Sequence, residues 1–144
     1  MRTLISVGFA PSIKMTKQEV LQINTSTLAY LGDAVYELMI REWLIEKQPN
    51  SVDKSHKAAI KYVSAEGQAK AAKAMMADAF LSEEEERLLK RARNHRTMSK
   101  PANADPRNYK VATGFEALIG YLHLLNETER LNEIVKQAIH IIDK

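Results

Sequence analysis

Apolar residues recur along most of the chain at the three- and four-residue spacing of helices laid against a core. Nowhere do they show the sustained two-residue alternation of strands. A short helix is predicted over Lys17 to Ile23. Asn24 to Ser26 then cap a long helix that runs to about Lys47, where "QPN" stops it. Another helix is predicted over Val52 to Ala77, with Ile60, Val63, Ala72 and Met76 facing the core and a bend at Gly67. "SEEEERLLKRAR" opens with Ser82 as N-cap and Glu85 completing a capping box, acids first and bases last, and predicts a helix over Glu83 to Asn94. Asp105 as N-cap and Pro106 at the first helical position start the next helix, whose core face reads Phe115, Leu118, Ile119, Leu122 and Leu125. Asn126 and Glu129 match a further capping box, followed by a last helix burying Leu131, Ile134, Val135, Ala138 and Ile142. The reading is all-α: a helical bundle over residues 21–144, preceded by an N-terminal extension over residues 1–20.

Two of these helices carry an acid where the pattern does not call for one. In "LAYLGDAVYELMI", at about 100° per residue, Leu28, Leu31, Val35, Leu38 and Met39 form one apolar face. Asp33 points away from it, but its own neighbours on the wheel are Ala29, Tyr36 and Ile40. This second apolar face is more than one small domain easily hides, and it predicts a two-fold dimer whose interface lies near it. In "ATGFEALIGYL", Glu116 lies about 120° from the centre of the core face, beside Ala112, Ile119 and Gly120. Gly32 adjoins Asp33, and Gly114 and Gly120 flank Glu116. Glycine costs about 1 kcal/mol relative to alanine inside a helix, so three of them imply close approach of helices or of a ligand backbone.

Composition narrows the chemistry. With 144 residues, 45% of them hydrophobic, the chain has material for one domain with a sizeable core. It contains no cysteine, which excludes disulfides and thiolate metal sites. No apolar run approaches the roughly 20 residues of a membrane span, and the N-terminal stretch lacks the apolar region of a secretory signal; the expected location is cytoplasmic. The net charge of +3 is unevenly spread. Between Arg87 and Lys110, Arg87, Lys90, Arg91, Arg93, Arg96, Lys100, Arg107 and Lys110 face a single acid, Asp105. Compensation of the helix dipole accounts for Lys90 to Arg93. It does not account for bases continuing through "NHRTMSK", which point to a polyanion such as nucleic acid.

A carboxylate among apolar groups must be paired, protonated or bound to a metal. Two of them on separate helices, with oxygen as the only ligand atom, suit a hard cation such as Mg²⁺, which takes one or two carboxylates and completes its shell with water and phosphate. A Mg²⁺ pocket beside a basic surface makes phosphodiester chemistry plausible. The four histidines are scattered, none with a nucleophile at motif spacing, and there is no phosphate-cradling glycine-rich loop.

"LAYLGDAVYE" resembles the signature of the ribonuclease III family, and "FEALIGYLHL" resembles its second motif. The likeness extends from about Leu21 to Ile142 and is greatest to the short Mini-III branch, which lacks a double-stranded-RNA-binding domain. The resemblance implies that Asp33 and Glu116 are the catalytic, metal-binding pair, with Mg²⁺ as cofactor and Mn²⁺ able to replace it. It also implies a homodimer that cuts double-stranded RNA, in this branch the precursor duplex of large-subunit ribosomal RNA; whether a large-subunit ribosomal protein presents the RNA stays open. Arg91, Arg93, His95, Arg96 and Lys100 are the expected RNA-binding residues. The chain departs from the longer enzymes in having Ser26, Ala29 and Thr113 where they carry further acids. The Mini-III pattern lacks those acids too, so the expectation is a reduced site. The alternatives are a non-catalytic RNA-binding module with a decayed site and a helical protein–protein adaptor.

Overall fold

The computed structural model describes residues 11, 13–95 and 105–144. Among these, seven helices follow one another: α1 (Lys17–Leu21), α2 (Thr25–Lys47), α3 (Val52–Val63), α4 (Ala65–Ala77), α5 (Glu83–Arg93), α6 (Pro106–Leu124) and α7 (Thr128–Asp143). The predicted all-α bundle is the observed architecture.

Helix α6 forms its axis. The side chains from Ala117 to His123 are all buried, as are Val111, Ala112, Gly114 and Phe115. It lies along α2, with α4 and α5 on its other sides, while α7 closes the bundle against α4 and α6. Fully enclosed side chains such as Phe115, Leu118, Ile119, Ile134 and Leu89 each contribute about 1.5–3 kcal/mol by leaving water.

Several starts are cut where the sequence marks them. Asn24 accepts from the Ser26 amide, and Asp105 accepts from the Arg107 amide with Pro106 at the first turn. The box of Ser82 and Glu85 closes in both directions. Glu85 has a second role: its carboxylate takes a two-pronged bond from Arg130 on α7, at 2.9 and 2.8 Å, while the same guanidinium donates to the Phe80 carbonyl. Burial pushes the Glu85 carboxyl up, but Arg130 and Ser82 together hold it below its ordinary range. Val20 of α1 belongs to the core, so packed structure begins before residue 21.

Three expectations are corrected. The first is the face of α2. Ala29, Tyr36 and Ile40 are buried within the chain itself, because α2 is covered by α6 on one side and α3 on another. They therefore form no dimer surface, and Leu38 of the expected core face is partly exposed. The second is the helix over Val52 to Ala77, which breaks at Ser64, not at Gly67. The Ser64 backbone is extended (φ −65°, ψ 156°), ends α3, and its hydroxyl accepts from the Gly67 amide to start α4. Turning the pattern there leaves Ile60 53% exposed and buries Ala59 and Tyr62 instead. The third is the capping box of Asn126 and Glu129, which does not form. Asn126 takes the left-handed conformation (φ 57°), its amide donates to His123 and the Glu127 amide to Leu122. Asn126 thus finishes α6 in a Schellman turn and is not the cap of α7.

Candidate functional site

Helices α2 and α6 meet backbone to backbone. A Cβ on Gly32 would fall on the Glu116 carbonyl oxygen and lie 2.8 Å from the Gly120 amide nitrogen; one on Gly120 would fall on the Leu28 carbonyl. Packed helices ordinarily keep axes about 8–10 Å apart, and side chains at either position would force these two apart. The close approach is what the two glycines provide, and it sets Asp33, next to Gly32, beside Glu116.

The two carboxyl groups differ in setting. Asp33 is exposed, so it is not the enclosed acid that its neighbours on the helix wheel suggested; Glu116 is half-buried. Burial first, and then the charge and hydrogen bond of Asp33, raise the Glu116 carboxyl from 4.5 to about 8, against a lowering contribution from Gln68. The Gln68 amide nitrogen donates to Glu116 Oε2 at 3.3 Å and to the Val63 carbonyl at 3.0 Å. Gln68 is 1% exposed, and its Oε1 is buried without a partner among the described residues. On the α2 side, Tyr36 donates to the Tyr62 carbonyl at 3.1 Å and meets Phe115 edge-on, ring centres 5.1 Å apart. Burial, then Tyr62 and Glu116, raise the Tyr36 phenol far above its usual range.

This donor set fits a hard divalent cation. It consists of oxygens, and the opposition that Asp33 sets up to ionisation of Glu116 would be relieved by a cation held by both. Among the described residues no three or more His, Cys, Asp or Glu side chains gather in one place, so the carboxylate contribution stops at two. The other positions compared with the longer enzymes add nothing: Ser26 bonds back to Asn24, Ala29 is packed away, and the Thr113 hydroxyl donates to the Tyr109 carbonyl of its own helix.

The structure thus brings Asp33 and Glu116 together. Of the expected RNA-binding residues, Arg91 is exposed but donates to the Leu21 carbonyl at 3.4 Å, and Arg93 donates to Asn94 at 3.1 Å. His95 is exposed. Arg96 and Lys100 lie outside the described residues. Sequence reasoning placed Tyr36 beside Asp33 on the wheel but missed Gln68 as a neighbour of the pair. The signal for Gln68 was a lone amide in the alanine-rich run "SAEGQAKAAKA".

Comparison with known proteins agrees with this geometry. Residues 26–127 match the model of the ribonuclease III domain. The chain is 43% identical over 132 residues to the Mini-ribonuclease 3 of Clostridium tetani, covering 91% of this chain and 86% of that protein. It is 46% identical over 118 residues to the Mini-ribonuclease 3 of Enterococcus faecalis, covering 82% and 89%. A crystal structure of a Fusobacterium nucleatum protein superposes with a TM-score of 0.73 at 32% identity, over 85% of this chain and 96% of that one. The chain belongs to the ribonuclease III family, in its Mini-ribonuclease 3 branch.

Proposed function

We propose that Asp33 and Glu116 hold a Mg²⁺ ion and that this centre cleaves the precursor duplex of large-subunit ribosomal RNA. The reaction class follows from the family, whose enzymes are divalent-metal-dependent endoribonucleases acting on double-stranded RNA. The observation that carries the assignment is the meeting of the two acids at the Gly32–Gly120 crossing. When bound, the ion polarises the phosphoryl group and activates water.

The chain's own groups divide the remaining work. Asp33, open to solvent, would hold the ion on the exposed side of the pair. Glu116 is held from behind by Gln68 and must give up its proton for the ion to bind. With only two carboxylates to hold the ion, water and RNA phosphate would supply its remaining ligands, and Mn²⁺ could take the place of Mg²⁺. Arg96 and Lys100, with His95 and the ends of Arg91 and Arg93, offer cations to the phosphates beside the cut; shape and phosphate contacts of this kind are how double-stranded RNA is mainly read. Among the described residues no helix is long and apolar enough to cross a membrane, in keeping with a cytoplasmic enzyme.

The enzyme acts as a homodimer in this proposal, but through a different surface from Ala29, Tyr36 and Ile40. Tyr30 and Val52 are each 84% exposed, and Ile45 and Ile60 are more than half exposed. Ile45, Val52 and Ile60, with Leu44 and Ala59, line a groove of about 310 Å³ between α2 and α3 that Glu37, Arg41 and His56 also border. Presentation of the RNA by a large-subunit ribosomal protein belongs to the same proposal.

The test is cleavage of a short RNA duplex and of naked precursor RNA, with and without Mg²⁺. Asp33→Asn and Glu116→Gln keep shape and remove one charge each, and cleavage should fall by at least about 100-fold. Near-parental turnover of either variant at saturating Mg²⁺ removes that residue from the centre.

A further inference from the structure

The last turn of α3 leaves carbonyls without helical partners, as any helix end does. Here two successive ones are answered by side chains from different helices: Tyr62 by the hydroxyl of Tyr36, Val63 by the amide nitrogen of Gln68. Both donors also touch the acid site. Tyr36 lies one turn from Asp33 and against Phe115, the residue before Glu116; Gln68 bonds Glu116 itself. The break at Ser64 makes the second contact possible, since it starts α4 anew and aims Gln68 back across the end of α3.

The orientation of the Gln68 amide is fixed by its surroundings. The Val63 carbonyl at its nitrogen can only accept, so the nitrogen must be where it is and the oxygen must be on the other branch. Amide geometry places that Oε1 about 2.2 Å from Nε2, and so within roughly 6 Å of Glu116 Oε2. A buried amide oxygen without a partner is costly to the fold alone.

We propose that Gln68 is a positioning residue of the metal site: it fixes one oxygen of Glu116 against the end of α3 and leaves the other for the cation. The proposal rests on the reading of Asp33 and Glu116 as the metal pair. Its chemistry is that of an outer ligand shell, where loss of a supporting group typically weakens metal affinity about 10- to 100-fold. Gln68 touches no reacting atom in this account, so its loss should be recoverable with more metal.

The experiment measures Mn²⁺ affinity of the RNA-free, full-length protein by the disappearance of the free-ion resonance signal, alongside thermal unfolding without metal and cleavage across a Mg²⁺ titration. Gln68→Met keeps volume and removes both polar ends; Gln68→Asn keeps the amide but withdraws it by one methylene, and carries the test if the first variant does not fold. Both should bind Mn²⁺ at least about 10-fold more weakly and need correspondingly more Mg²⁺ for half-maximal cleavage, with kcat at saturating Mg²⁺ within a few-fold of the parent. Gln68→Met should unfold no earlier than the parent. Folded variants with parental Mn²⁺ affinity overturn the proposal and leave Gln68 as a packing residue. Asp33→Asn and Glu116→Gln are measured beside them: if these also bind Mn²⁺ as the parent does, the metal pair itself is misassigned, whereas if they lose it and the Gln68 variants do not, only the positioning role falls.

Discussion

Glu116 is the residue whose protonation the fold perturbs most usefully. Its carboxyl ionises near 4.5 in an unfolded chain and at about 8 in the folded, metal-free protein, chiefly through burial and then through Asp33. The folded state therefore holds a proton that the unfolded state has released, and stability falls as pH rises from about 4.5 to about 8. Glu116→Gln removes this dependence. Without metal, its melting temperature should match the parent near pH 4.5 and exceed it by roughly 5 °C or more at pH 8.5. Mg²⁺ should stabilise the parent more at pH 8 than at pH 5, because ion and proton compete for the same oxygens. Differential scanning calorimetry at four pH values, with and without Mg²⁺, measures both. A constant difference across the range would mean that Glu116 is no more protonated folded than unfolded.

Among the elements, the crossing of α2 and α6 governs both stability and site geometry. Gly120→Ala places a methyl group on the Leu28 carbonyl, where rigid backbone cannot give way. It should cost about 2–3 kcal/mol in denaturant unfolding, the scale of overpacked cores, and lower cleavage beyond that by spreading Asp33 from Glu116. A variant as stable and active as the parent would show that the helices have room to part. That glycines meant close approach was legible from their cost alone; which helices approached was not, since no single helix records its partner. Local signals were read well: Asn24, Ser82 with Glu85, and Asp105 with Pro106 act within three residues. Ser64 was passed over because a serine fits inside a helix as well as before one, and the alanine-rich pattern runs through it. The face of α2 was misjudged because Ala29 and Gly32, weak on any hydrophobic scale, are the side that packs closest.

For the whole molecule, two surfaces remain to act outward. Replacing Arg96 and Lys100 by Ala should weaken duplex RNA binding, raise KM more than it lowers kcat, and reduce the slope of log affinity on log salt by up to about 0.9 per lost phosphate contact, taking the duplex DNA value. Melting temperature should stay within about 1 °C if these two charges serve binding alone. An unchanged salt slope with lost stability would make the loop structural. The surface that holds Ile45, Val52 and Ile60 should form part of an interface of about 2,000 Å² or more between two copies, so the parent should sediment as a dimer at micromolar concentration and Ile45→Glu as a monomer. A monomeric parent would contradict this assembly. The crossing at Gly32 and Gly120 has one more consequence. The two acids are contributed by segments more than eighty positions apart in the sequence, joined at the axis of the bundle, so closing that loop is inseparable from forming the core. On the proposed assignment, a nascent or partly unfolded chain holds no cutting centre. Amides of α2 and α6 beside the crossing should then exchange with solvent only through global unfolding, and a cell that makes this nuclease is exposed to its activity only once folding is complete.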